Sequence, residues 1–212
     1  PRSYAALWHL IRIAQGWSAD AGADSASAAE HAAAALERHP GDATALAIQG
    51  HMLSYARQDF AAAELTLDRA TLAGPSNPLA WTFRSALSSY LGEGERAVQE
   101  GERAVRLCPA DPFVYLSEHM LARAHYVAGR FDEAERWGRR VMARNPRHAA
   151  NLRALAASLV AGGQVGAARE VALKLLAESP GFRLSSFAAR TPMQGTILED
   201  YVRRLRAAGL PD

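Results

Sequence analysis

The chain has 212 residues, 49% of them hydrophobic and 22% charged. These are the values of one folded soluble domain or a short repeat array, and they exclude a chain dominated by disorder. Its 24 basic and 22 acidic side chains leave a formal charge of +2, which implies no strong field for nucleic acid. Residues 1–100 hold 7 basic and 11 acidic groups and residues 101–212 hold 17 and 11, so the C-terminal half is the basic one. Of the basic residues 23 are Arg, with Lys174 alone, and 46 residues are Ala. Both types favour helix, so the composition predicts an all-helical protein. Cys108 has no partner for an intramolecular disulfide or a Cys-based zinc site. No apolar run reaches the length of a spanning helix, and the N-terminus lacks the apolar stretch of a secretory signal.

In chain order, a helix is predicted over Tyr4–Gln15, a polar loop over Trp17–Asp24 and an Ala-rich helix over Ser25–Arg38. From there a ladder runs through the sequence. Pro40, Pro75, Pro109, Pro146 and Pro180 each end an apolar helical pattern, at separations of 35, 34, 37 and 34 residues. Twelve residues before each Pro stands an alanine: Ala28, Ala63, Ala97, Ala134 and Ala168. A small side chain at a fixed offset marks a place where one helix passes close to another. The unit ending at Pro75 carries Gly50, Phe60, Ala63 and Ala70. The unit Pro78–Pro109 carries Trp81, Gly92, Ala97, Gly101 and Ala104, and about three residues are inserted after it around Asp111–Val114. The unit ending at Pro146 carries Leu121, Ala122, Gly129, Phe131, Ala134, Gly138 and Val141. In the unit Ala149–Pro180, Leu152, Leu155 and Leu159 form one stripe before Gly162-Gly163, and Ala168, Ala172 and Leu175 follow. Beyond Pro180 a loop is expected through Arg183–Gly195, then an amphipathic helix over Thr196–Ala208 that stops at Gly209.

A period near 34 residues built this way resembles the tetratricopeptide repeat (TPR) family, over roughly residues 4–180. The resemblance implies an all-α, right-handed superhelix of antiparallel helix pairs. Residues 1–180 are expected to form an array of about five pairs, the first irregular. Residues 181–212 are expected to form a loop and a C-terminal capping helix, with Ile197, Leu198, Tyr201, Val202 and Leu205 covering the apolar end of the array. Gly101 and Gly138 share one slot in consecutive repeats, where close helix packing is expected to offset the helix-propensity cost of glycine.

A narrower resemblance rests on Gly50–Tyr55, Arg57–Phe60, Arg106–Pro112, Ala128–Phe131 and Arg204–Pro211. These segments are similar to the C-terminal repeat regions of bacterial signalling proteins that carry a class III nucleotide cyclase or a winged-helix DNA-binding domain. The expectation is a cytoplasmic interaction or sensory part of such a regulator, with the output domain N-terminal to Pro1. The alternative is a free-standing scaffold.

Catalytic motifs are missing from the sequence. There is no HExxH and no G-x-S-x-G. His119 and His125 are six apart, which puts them on different faces of a helix turning 100° per residue. Gly92-Glu-Gly94 and Gly162-Gly163 lack the strand and lysine of a phosphate loop. No enzyme activity, cofactor or metal is therefore expected. The basic run Arg136, Arg139, Arg140, Arg144 and Arg147 is the nucleic-acid candidate, but Glu133 and Glu135 stand at pairing distance and favour a salt-bridged face.

In the family, partners lie on the concave face formed by the first helix of each pair. Carried over by position, that face comprises Ile48, Met52 and Tyr55, then Thr82, Ala86 and Tyr90, then His119, Arg123 and Tyr126, and finally Arg153. The expected partner is a protein or peptide, with acidic or amidated polar segments preferred near Arg123 and Arg153. No nucleic acid or membrane partner is expected. Ile48/Met52 and Thr82/Ala86 replace the polar pairs with which some family members clamp a carboxyl terminus, so that activity is not implied.

Overall fold

The computed structural model describes residues 2–15 and 17–212; among them are twelve helices and no strand. Ten form five antiparallel pairs: α1 (Arg2–Gln15) with α2 (Ala21–Arg38), α3 (Ala43–Tyr55) with α4 (Phe60–Ala73), α5 (Pro78–Tyr90) with α6 (Gly94–Leu107), α7 (Tyr115–Val127) with α8 (Phe131–Arg144), and α9 (Ala149–Ala161) with α10 (Val165–Glu178). Each odd-numbered helix packs on the next odd-numbered one, while α2, α4, α6 and α8 each pack against the helix that follows. The first helices of the pairs therefore make a continuous inner layer, with the second helices outside it. α11 (Leu184–Ala188) and α12 (Gly195–Ala207) complete the chain.

The proline ladder works as the sequence implies. His39, Gly74, Cys108, Asn145 and Ser179, each just before a ladder proline, leave the helical region with φ between −136° and −141°. Proline forces this, because its Cδ clashes with a preceding helical residue. The turns inside the pairs are also periodic: Gly92, Gly129 and Gly163 have φ of +81°, +74° and +79°. Gln58 holds the equivalent place in the second pair at φ +53° without being glycine.

The five ladder alanines are at most 1% exposed. A Cβ on Gly101 would stand 3.0 Å from Ser85 Oγ and 3.1 Å from Leu121 Cδ1, and one on Gly138 would stand 3.1 Å from Leu155 Cδ1. Close packing of neighbouring helices thus favours glycine at both positions, since a larger residue would need its neighbours to shift. Ala97→Trp is expected to overpack the same seam and destabilise the array by about 1–3 kcal/mol or more. Chemical denaturation measures it, and a variant as stable as the parent would refute this account of the ladder.

Two loop expectations are corrected. Trp17–Asp24 is not a loop throughout: α2 begins at Ala21, because the Asp20 carboxylate accepts from the N–H groups of Gly22 and Ala23. Asp24 is buried inside α2, where it meets His9 Nδ1 at 2.6 Å and Arg12 Nη1 at 3.2 Å. The nearby Ser18 hydroxyl, the His9 hydrogen bond and the Arg12 charge hold its carboxyl below the usual range. Arg183–Gly195 is likewise interrupted by α11. The Leu184 N–H donates to the Pro211 carbonyl at 2.8 Å, closing the C-terminal segment on itself.

That segment lies against the inner layer. α12 packs on α9, and Tyr201 and Leu205 are buried in one cluster with Tyr90, Tyr126 and Leu155. Arg204 Nη1 donates to Tyr126 Oη at 2.7 Å and its guanidinium lies over Phe131. The Ile197 side chain reaches the α5–α6 turn, 3.0 Å from where a Cβ of Gly92 would be. The segment therefore runs across the turn ends of several pairs as well as covering α9.

Candidate functional site

The inner layer, α1 and the C-terminal segment together enclose a cavity of about 400 Å³. Six of the ten residues assigned to the concave face line it: Met52, Tyr55, Tyr90, His119, Arg123 and Arg153. The other four face elsewhere. Ile48 and Ala86 are fully buried in the core, and Thr82 bonds the Pro78 carbonyl and Ser117 Oγ. Tyr126 is covered by Tyr201, whose ring stands edge-on at 5.2 Å. Packing within the helical layers takes the first three positions out of the groove, and the C-terminal segment covers the fourth.

Sequence reasoning missed the wall opposite. Leu7, Leu10 and Ile13 come from α1, and Phe187, Thr191, Met193 and Tyr201 from the C-terminal segment. The apolar stripe of α12 was visible in sequence, but its destination depends on how far the superhelix curves. His148 was also missed; it precedes α9 and packs edge-on against His119 at 4.7 Å.

Charge in the cavity is one-sided. Arg123 Nη1 donates to Tyr90 Oη at 2.8 Å, and its Nη2 lies 3.2 Å from His119 Nε2. Arg153 lies over the ring of Phe187 at 5.1 Å. The carboxylate in the lining, Glu178, is held by Arg147 at 2.7 Å. The lining histidines add no positive charge near neutral pH. Burial, together with the nearby arginine charges, pushes His51 and His148 down to about 3 and holds His119 well below its ordinary value. Burial raises Tyr201 to about 12 and also raises Tyr90, so both phenols are neutral donors.

The basic run is paired. Arg136 meets Glu133, Arg139 meets Glu135 at 2.8 Å, and Arg140 and Arg144 meet the fully buried Glu118 at 2.6 and 3.2 Å. These four arginines share three of the chain's own carboxylates, which weakens any phosphate track along α8. Cys108 is buried, its Sγ 3.2 Å from the Ala104 carbonyl, and burial raises its thiol pKa, the reverse of what a nucleophile needs. Among the described residues no cluster of three His, Cys, Asp or Glu could hold a metal, and no helix is long and apolar enough to cross a membrane.

A family profile, "Tetratricopeptide repeat", matches residues 52–112 and 119–181. These ranges cover more than half of the chain, and the chain belongs to the tetratricopeptide repeat family, a family of interaction scaffolds. No curated protein has a matching sequence. Solved structures share the fold. A thermophilic TPR protein of Thermus thermophilus is similar at 16% identity and a TM-score of 0.68, over 99% of this chain and 100% of that one. PilW, a widely conserved type IV pilus biogenesis factor, is similar at 16% identity and 0.66, over 98% and 89%. YrrB, a TPR protein with an unusual peptide-binding site, is similar at 17% identity and 0.53, over 85% and 91%.

Proposed function

We propose that the chain works by binding a protein partner, one extended segment of which enters the cavity between α1 and the C-terminal segment. The observation that carries this reading is the lining: Tyr55, Tyr90 and Phe83 stand with Arg123 and Arg153, which pair with no carboxylate among the described residues. Aromatic and Arg side chains withdrawn from water are the usual energetic anchors of interfaces. An extended segment suits the volume, since two turns of helix with side chains would need roughly twice the space. An acidic side chain on the partner would meet Arg123 and Arg153.

The finer reading is that this scaffold is the interaction or sensory part of a cytoplasmic bacterial signalling regulator. It is supported by the similarity of Gly50–Tyr55, Arg57–Phe60 and Arg204–Pro211 to the repeat regions of such proteins. A partner that binds two curvatures of the array with different affinity shifts their populations, which is the physical basis for signalling by a solenoid.

Affinity capture from lysate with the parent, Tyr90→Ala and Arg123→Glu tests the binding site. Loss of specific partners from both variants is expected; an unchanged set would refute the use of this face.

A further inference from the structure

Buried charge elsewhere in the molecule is matched. Arg84 meets Asp68 and Glu100, and Glu118 meets Arg140 and Arg144. Arg123 and Arg153 depart from this pattern. Both are partly buried and both line the cavity. Among the described residues neither has a carboxylate at ion-pairing distance. Arg123 is engaged by neutral groups, Tyr90 and His119. Arg153 has only the faces of Phe182 and Phe187, at 5.7 and 5.1 Å, and no hydrogen-bond partner among the described residues. Withdrawing a guanidinium from water without a counter-charge is unfavourable, and cation–π contact returns only part of that cost. Burial, to which the nearby Arg123 charge adds, lowers the pKa of Arg153.

We propose that the cavity is a binding site for a small organic acid, with its carboxylate gripped by Arg123 and Arg153 and its apolar body among Met52, Phe83 and Phe187. The guanidinium fork matches a carboxylate in shape and charge. A volume of about 400 Å³ lies in the range of small-ligand sites, about 300–1,000 Å³. Most of the lining is apolar or aromatic, which selects an acid with a hydrocarbon or aromatic body over a bare ion. This goes beyond the scaffold reading, because the acid need not be part of a protein. It also gives the C-terminal segment a role: Phe187, Met193 and Tyr201 line the cavity, so an occupant holds that segment against the array.

Calorimetric titration of the full chain with octanoate and 4-phenylbutyrate, each beside its neutral amide, and with inorganic phosphate tests the assignment. Saturable binding of at least one acid at millimolar concentration is expected, with no binding of the amides and slower proteolysis of residues 181–195 in the presence of that acid. Arg153→Gln, which removes no internal hydrogen bond, is expected to weaken binding about tenfold or more. Arg136→Gln, on the outer surface, should keep parental affinity. Circular dichroism checks that both variants are folded. Equal binding of acid and amide, no binding of either acid, or full affinity in Arg153→Gln would overturn the site. Phosphate bound as tightly as the acids would overturn the organic-acid class. Calorimetry reads the free acid and affinity capture reads protein partners, so either proposal can fail without the other.

Discussion

Glu100→Ala is expected to destabilise the array by about 3–5 kcal/mol, the cost of breaking a buried ion pair by removing one partner. Glu100, in α6, is 7% exposed and joins two helices. Its Oε1 accepts from Arg84 Nε and Arg96 Nε, both at 3.2 Å, and its Oε2 accepts from Ser88 Oγ at 2.7 Å. Arg84 and Ser88 belong to α5, and Arg84 also meets Asp68 on α4, so the cluster ties three consecutive helices. Truncation leaves Arg84, itself 8% exposed, with Asp68 alone and Ser88 without an acceptor. The remaining Asp68 pair places the cost toward the lower end of the range. For a chain of this size that corresponds to a melting temperature lower by roughly 6–12 °C. In a solenoid the loss should spread mainly to neighbouring repeats. Hydrogen exchange should therefore accelerate in α4–α6 more than in α9–α10. Replacing both partners by apolar residues, Arg84→Met with Glu100→Leu, is expected to restore much of the stability, because no buried charge is then left unpaired. If the single variant melts with the parent, the cluster has no structural role.

Tyr201→Ala is expected to release the C-terminal segment from the inner face while leaving the repeats folded. The ring of Tyr201 packs edge-on against Tyr126 at 5.2 Å and lies tilted against Phe187 at 5.8 Å, and the residue is 5% exposed. Deleting a buried aromatic ring costs about 3–5 kcal/mol. Here the cost falls on a short segment that can detach by itself, so it should appear as local opening rather than a lower global midpoint. Limited proteolysis should cut within residues 181–195 much faster in the variant, with α1–α10 resistant. Tyr201→Phe is the control: the hydroxyl has no hydrogen-bond partner among the described residues, and its pKa near 12 keeps it uncharged at neutral pH. The Phe variant should therefore behave like the parent. Protease resistance of Tyr201→Ala equal to the parent would show that the segment is not held this way.

The local design was legible in the sequence because it is periodic and short-range. Proline ends a helix through a clash with the residue before it, and glycine permits the left-handed turn inside a pair; neither depends on distant residues. Only small side chains suit the seam between paired helices, so the alanine ladder marked it in advance. The pairing of the α8 arginines was legible in part: Glu133 and Glu135 stand within one helical turn, whereas Glu118 comes from α7. Tertiary structure alone decided which of the assigned positions line the cavity and what closes it. Whether an inner-helix residue faces the groove or its neighbour turns on the angle between successive pairs. That angle sent Ile48, Thr82 and Ala86 into contacts and left Met52, Tyr55, Tyr90, His119, Arg123 and Arg153 around a cavity, while the C-terminal segment covered Tyr126. The residues that close the cavity lie far away in sequence, as with Tyr201 against Tyr126 and Phe187 beside Arg153. No helical period encodes such contacts, because they arise only once the array has curved enough for its C-terminal segment to pack against its own inner face.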